Sequence, residues 1–113
     1  MAANLLLQKY QYELADDTLT DVYECPEKRT NTVTIFLCNG ELTAATIMLA
    51  VALEGAADSS EQYLYRTTEI KSGNTMKISL TLNEKDVVRV KSSSGSVIVC
   101  NVFVDQSRSL ARI

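Results

Sequence analysis

The sequence predicts an all-β chain: a two-layer antiparallel β-sandwich of seven to nine short strands, with jelly-roll-like or immunoglobulin-like connections. Three observations predict it. Apolar residues recur with a period of two in at least six segments, turn-forming residues separate those segments, and no stretch holds apolar residues at three- and four-residue spacings over the length a helix needs. Alternation places successive side chains on opposite faces, so each segment has an apolar face to bury, and two such sheets bury theirs against each other.

Two short extended pieces are expected between Leu14 and Cys25, around Asp16-Asp17. Val33, Ile35 and Leu37 then alternate with Thr34, Phe36 and Cys38, and Ile47, Leu49, Val51 and Leu53 alternate with Thr46, Met48, Ala50 and Ala52. Both faces of these two are apolar, as expected of central strands or of strands covered by another subunit. The stretch from Ala44 to Ala57 is the nearest approach to a helix, but its β-branched Thr46, Ile47 and Val51 and the alternation of its large residues favour a strand. Tyr63 to Ile70 supplies another. In Thr75 to Leu82, Met76, Ile78, Leu80 and Leu82 face one way and Thr75, Lys77, Ser79 and Thr81 the other, the cleanest half-exposed strand in the chain. Val88 and Val90 flank Arg89 in a short strand, and Val97 to Val104 forms a long one expected deep in the domain. The separators are Pro26 to Asn31, Asn39-Gly40-Glu41, Gly55 to Ser60, Ser72-Gly73-Asn74, Asn83 to Asp86 and Ser92 to Gly95. Ser72-Gly73-Asn74 suits a hairpin or a strand-to-strand corner.

At 113 residues the chain fits one domain, and the surface-scaling rule gives about two thirds of the unfolded surface as buried on folding. Its 46% apolar content, 22% charge, single Pro and four Gly exclude collagen-like, Pro-rich and strongly disordered classes. The longest apolar run, Ile47 to Leu53, is too short to span a membrane, and no signal peptide is indicated, so no membrane association is expected. The net charge of −3, with basic residues scattered among Glu27, Glu61, Glu69, Glu84 and Asp86, gives no nucleic-acid footprint.

The sandwich is expected over residues 13–105, with an N-terminal arm at 1–12 and a C-terminal tail at 106–113. Leu5, Leu6, Leu7, Tyr10 and Tyr12 at one end and Leu110 and Ile113 at the other are apolar, and exposing each large side chain forgoes about 1.5–3 kcal/mol. The arm is therefore expected to pair with the sheet or to cross to a neighbouring subunit.

The composition offers little chemistry. Without histidine there is no Ser-His or Cys-His nucleophile system. Asp16-Asp17 and Glu84 with Asp86 are the closest carboxylates, and both groupings read as turn residues bonding local amides, with Asp86 placed to fix the Asn83-Glu84-Lys85-Asp86 turn. Cys25, Cys38 and Cys100 lack metal-ligand spacing and a disulfide framework. Cys38 and Cys100 are expected as small buried hydrophobes, and Cys25, beside the proline, as the partly exposed thiol that reagents reach first. Ser94-Gly95-Ser96 lacks the length and the lysine of a phosphate loop. No catalytic residue, cofactor site or metal site is expected, so the chain reads as a non-enzyme. Tyr10 with Tyr12 and Tyr63 with Tyr65 form two i,i+2 pairs, each suited to carbohydrate stacking, to a protein interface, or to an edge with buried rings and wet hydroxyls.

Three stretches taken together, Ala15 to Pro26, Thr32 to Asn39 and Leu80 to Val90, resemble a family of small virion proteins of tailed bacteriophages. The resemblance implies a β-sandwich of this size that serves as a head decoration, cement, neck, tail or fibre-associated component. Where the family pattern has a small residue and glycine after the proline, and glycine before the turn aspartate, this chain has Glu27-Lys28-Arg29 and Lys85. Both turns must then form without glycine's freedom.

What the resemblance implies is binding in many copies. Its partners would be the major capsid protein or other virion proteins, in a homo-oligomer for which a trimer is the family's expectation. The location would be the virion, after synthesis in the host cytoplasm. The leading expectation is a capsid decoration (cement) protein bound across major capsid protein subunits. The alternatives are a neck, tail or fibre-associated protein, and a glycan-binding module.

Overall fold

Alternation decides the layers, and strand order decides which faces and edges remain open. The computed structural model describes residues 6–14, 19–92 and 98–106. Its strands are β1 (Leu6–Leu14), β2 (Thr20–Glu24), β3 (Asn31–Asn39), β4 (Ala45–Ala52), β5 (Tyr63–Ile70), β6 (Thr75–Leu82), β7 (Val87–Ser92) and β8 (Ile98–Gln106). They form two four-stranded sheets, ordered β1-β8-β3-β6 (sheet A) and β2-β7-β4-β5 (sheet B), with every neighbouring pair antiparallel. The chain changes sheet at every connection except β4–β5, and this nested order of eight strands is that of a jelly roll. It decides between the two connections the sequence left open.

Between the layers lie Val33, Ile35 and Leu37 of β3 and Ile98, Cys100, Val102 and Val104 of β8, facing Val22, Ile47, Leu49, Val88 and Val90 of sheet B. These β-branched and leucine side chains are fully or almost fully buried. As their two-sided apolar character predicts, β3, β4 and β8 are interior strands, and the half-exposed β6 is an edge.

One boundary differs from the sequence expectation. Residues 6–12, read as part of an arm outside the sandwich, pair with β8 in unbroken register from Leu6↔Gln106 to Leu14↔Ile98. The first of the two fates expected for the arm, pairing with the sheet, therefore holds for these residues, within the same chain. Tyr12 packs against the core and Tyr10 meets the Tyr23 ring at 5.9 Å, so the mixed Gln-Lys-Tyr composition conceals an edge strand with an apolar inner face. The expectations for Asp16-Asp17, for Ser94-Gly95-Ser96 and for residues 107–113 lie outside the described residues.

The ends of the sandwich are tied by buried polar groups. Asn39, fully buried, donates through Nδ2 to the Thr43 and Ile70 carbonyls at 2.9 and 2.8 Å and accepts the Glu41 N–H through Oδ1 at 2.9 Å. One side chain thus joins the β3–β4 loop to the end of β5. Beside it, Gly73 at φ +78 sits in the Lys71–Asn74 turn, closed by the Asn74 N–H on the Lys71 carbonyl at 3.0 Å, which carries the chain as a corner from sheet B to sheet A. At the opposite end Lys85 takes φ 67 in the Asn83–Asp86 turn, and Lys28 takes φ 64 after the proline. Both turns form without glycine. The Glu84 carboxylate accepts the Lys28 N–H at 2.7 Å, and Lys85 pairs with Glu27 at 3.3 Å, so each strained turn is held by the other.

Left-handed backbone disfavours residues with a Cβ by about 1–2 kcal/mol, part of which glycine returns through its freer unfolded chain. Lys28→Gly is expected to stabilise the domain by about 0.5–1 kcal/mol, and Lys28→Val to destabilise it, in urea denaturation. Asn39→Asp removes two buried donors and is expected to cost about 1–3 kcal/mol for each carbonyl left unbonded.

Candidate functional site

Sheets A and B differ in what covers their outer faces. On sheet B the outward Ala50, Ala52 and Val87 are buried although they lie outside the core between the layers. The β4–β5 connection covers them. Arg89 projects from the same face, donates through Nε to Asp21 Oδ1 at 2.9 Å and through Nη1 to the Ala56 carbonyl at 2.9 Å, and so fastens that connection over the sheet. Gln62 Nε2 donates to the Ala57 carbonyl at 2.8 Å within the same segment.

Asp86 anchors the start of the connection. It is buried, its Oδ2 accepts the Asn83 N–H at 3.0 Å, and its Oδ1 accepts the Glu54 N–H at 3.1 Å, at a residue whose φ is +55. The turn-fixing role expected of Asp86 is what the structure shows, with a second loop added to its duties. Glu84, its expected companion, turns instead to the Lys28 amide.

Among the described residues nothing covers the outer face of sheet A. Phe36 of β3 and Phe103 of β8 meet edge to face at 5.6 Å, the Lys9 ammonium lies 5.6 Å from the Phe103 ring centre, and Gln11 Nε2 donates to Asn101 Oδ1 at 2.8 Å. Thr34 and Ser79 hydroxyls lie 3.4 Å apart, and Val99 of β8 is exposed opposite Cys38, further along the same face. Lys9, Tyr10, Gln11, Asn101 and Phe103 line an open depression of about 440 Å³. An aromatic pair within a rim of amides, hydroxyls and one ammonium suits contact with another macromolecule or a flat polar ligand.

The tyrosines do not build a platform. Tyr10 and Tyr12 turn inward. A register shift in β5 sets Tyr65 opposite Leu49, against the core, whereas Tyr63 lies opposite Ala50 with Arg66 5.0 Å from its ring centre. Burial, and then the Asp58 carboxylate bonded to it, push the Tyr63 phenol above its ordinary value. Neither the Phe36–Phe103 pair nor its rim stood out in the sequence, because β3 and β8 are adjacent only through the sheet order.

The cysteines also differ from expectation. Cys25 is fully buried, with Sγ 3.6 Å from the Arg29 carbonyl and 3.7 Å from that of Leu82. Its backbone pairs with the Asn83–Asp86 turn, the N–H donating to the Asp86 carbonyl at 2.9 Å and the carbonyl accepting from Lys85 at 2.7 Å. The expectation that Cys25 is the accessible thiol is therefore overturned. Cys100 is buried as expected, and Cys38, half-buried on the outer face of sheet A, takes the accessible place. All three are free thiols. Among the described residues no group of three or more Cys, Asp or Glu could hold a metal, and no helix is long and apolar enough to cross a membrane.

No protein-family model and no curated protein matches the chain. Among solved structures it is similar in fold to one described as "Bacillus endospore appendages form a novel family of disulfide-linked pili" (TM-score 0.54, 13% identity, covering 90% of this chain and 88% of that one). A second overlap, with the Clostridium thermocellum N-terminal endo-1,4-β-D-xylanase 10B CBM22-1-GH10 modules complexed with xylohexaose, has a TM-score of 0.45 and 10% identity, over 95% of this chain and 27% of that one. It is too loose to carry an argument. The first likeness supports the sandwich fold, and at its identity it speaks for the fold alone.

Two outcomes test this description. A thiol reagent added to the native protein is expected to modify Cys38 rapidly, and Cys25 and Cys100 only on unfolding, as read by mass spectrometry of digests. Burial pushes the Cys100 thiol from 9.0 up to about 12. Between those values the folded chain holds a proton that the unfolded chain releases, so stability is expected to fall as pH rises from 9.0 towards about 12. Cys100→Ala should flatten that decline in a melting-temperature series, whatever its effect at neutral pH.

Proposed function

We propose that this chain is a non-enzymatic structural protein of a tailed-phage particle, a capsid decoration protein that lies across joints between major capsid protein subunits. The observation that carries the reading is the open outer face of sheet A. The chain covers the corresponding face of sheet B with its own β4–β5 connection, yet leaves Phe36, Phe103 and Val99 with a polar rim on sheet A. Aromatic residues at the centre of a polar border are the composition of a protein-binding patch.

The buried and charged polar groups support the same reading, because Asp86, Glu84, Asn39 and Arg89 hold loops in place. The resemblance of Ala15 to Pro26, Thr32 to Asn39 and Leu80 to Val90 to small virion proteins supplies the partner class. Cement proteins act by mass action, since each bound copy bridges neighbouring subunits and raises the free energy needed to part them. A neck, tail or fibre position uses the same surface against a different partner.

One observation favours a glycan-binding reading as the second choice. The depression of about 440 Å³ beside Phe103 combines an aromatic ring with the Gln11 and Asn101 amides, groups that stack on and bond to a sugar.

The deciding experiment incubates the protein with expanded empty heads and counts copies per particle. Saturable binding in register with the capsid lattice is expected, and Phe103→Ala, if it removes a central anchor worth about 2 kcal/mol, should weaken it about 30-fold. Leu64→Ala on β5 should leave it unchanged. Labelling found only at the tail of intact virions would contradict the capsid position. Saturable saccharide binding without head binding would select the glycan module.

A further inference from the structure

The four sheet edges differ in regularity. On sheet B, β2 is five residues long with a register shift between Asp21 and Tyr23, and β5 shifts twice against β4. Such bulges break the regular row of N–H and C=O groups that an added strand needs. On sheet A, β1 pairs with β8 without a shift from Leu6 to Leu14, and β6 pairs with β3 without a shift from Thr75 to Leu82. Neither strand contains proline, and among the described residues no strand pairs with the outer edge of either. A regular, unbulged edge of this kind is a ready template for pairing with another chain.

The inner faces at these edges are incompletely covered. Met76 and Leu80 of β6 pack on the core yet stay partly exposed, and Ile70 and Met76 border an open depression of about 450 Å³. Across the sheet, Tyr12 is partly covered and Tyr10 is 37% exposed.

Resting on the reading of the chain as a structural protein acting in many copies, we infer that the β1 edge of one copy pairs with the β6 edge of a second copy, continuing sheet A from subunit to subunit. Direction allows it. In a sheet of four antiparallel strands the two edge strands run opposite ways, so a second copy in the same orientation meets the first in antiparallel fashion. Side chains allow it too. The offset that sets Glu13 opposite Lys77, the only charge on β6, sets Gln11 opposite Ser79 on the outer face. On the inner face it sets Leu14 opposite Met76 and Tyr10 opposite Leu80. Opposite charges and apolar pairs each favour such a cross-strand register. The seam joins unlike surfaces, so it builds a ring or a filament according to the rotation per copy.

Cross-linking tests the seam. Glu13 and Lys77 lie on opposite edges of one sheet, three strand spacings and two residues along the strand apart, roughly 16 Å and beyond the reach of a disulfide within one chain. Glu13→Cys and Lys77→Cys are prepared separately in a Cys38→Ser background, and each is checked for a native melting transition. Mixed under mild oxidation they are expected to give a disulfide-linked dimer, whereas neither gives one alone. No dimer in the mixture, or a dimer from Lys77→Cys alone, overturns the inference, the latter because it places β6 against β6. A second readout uses the chain without the introduced cysteines. Ser79→Lys sets a second charge beside Lys77 and is expected to lower the assembled mass in sedimentation, and wild-type chain sedimenting as a monomer at its highest soluble concentration contradicts the seam. Head binding without the cross-link removes the seam and leaves the capsid reading standing. The cross-link without head binding does the reverse.

Discussion

A sheet has two faces, and in a sandwich only one of each is buried between the layers; what becomes of the second face governs the rest of this structure. On sheet B the chain solves the problem alone. Arg89 reaches from β7 to Asp21 on β2 and to the Ala56 carbonyl, and the β4–β5 connection closes over Ala50, Ala52 and Val87. Its guanidinium is mostly buried and donates to a carboxylate and a carbonyl, the kind of charge-assisted contact that fixes a loop. Among the described residues sheet A has no such cover. Its outer face keeps two phenylalanines edge to face among amides and hydroxyls, and its edges run without a bulge.

The covering connection is itself pinned by a carboxylate at the far end of the sandwich. Asp86 bonds the Asn83 amide within its own turn and the Glu54 amide of the covering segment, so the geometry of the β6–β7 turn and the cover over sheet B depend on one side chain. Asn39 plays the matching part at the other end, between the β3–β4 loop and β5. Buried polar groups with their bonds satisfied specify one arrangement, because any alternative leaves a buried donor or acceptor unpaired. A jelly roll built on these fasteners presents the face and the edges of sheet A in a fixed relation.

The architecture was legible because alternation is a local signal. Val33-Thr34-Ile35 and Thr75 to Leu82 declare their faces without reference to the rest of the chain, and the turn residues between strands mark the corners. The two turns at residues 26–31 and 83–86 were marked as turns by their polar residues, but that Lys28 and Lys85 adopt positive φ within them was not legible. β1 was harder, because Gln8-Lys9-Tyr10-Gln11-Tyr12 carries too few aliphatic residues to signal a strand, and its inner face is tyrosine. Cys25 was misjudged because a neighbouring proline suggests exposure, whereas the Asn83–Asp86 turn, distant in sequence, closes over it. The candidate surface was not legible at all. Phe36 and Phe103 meet only because β8 lies beside β3, an order that no local pattern encodes.

On the proposed function, sheet A and not sheet B touches other protein. Amide hydrogen exchange on the free chain and on the chain assembled on expanded heads tests it most directly. Slower exchange on assembly along β1 and β6, with β5 and residues 53–62 unchanged, is the result this account predicts. Slowing confined to β5 and residues 53–62, with β1 and β6 exchanging as in the free chain, would contradict it.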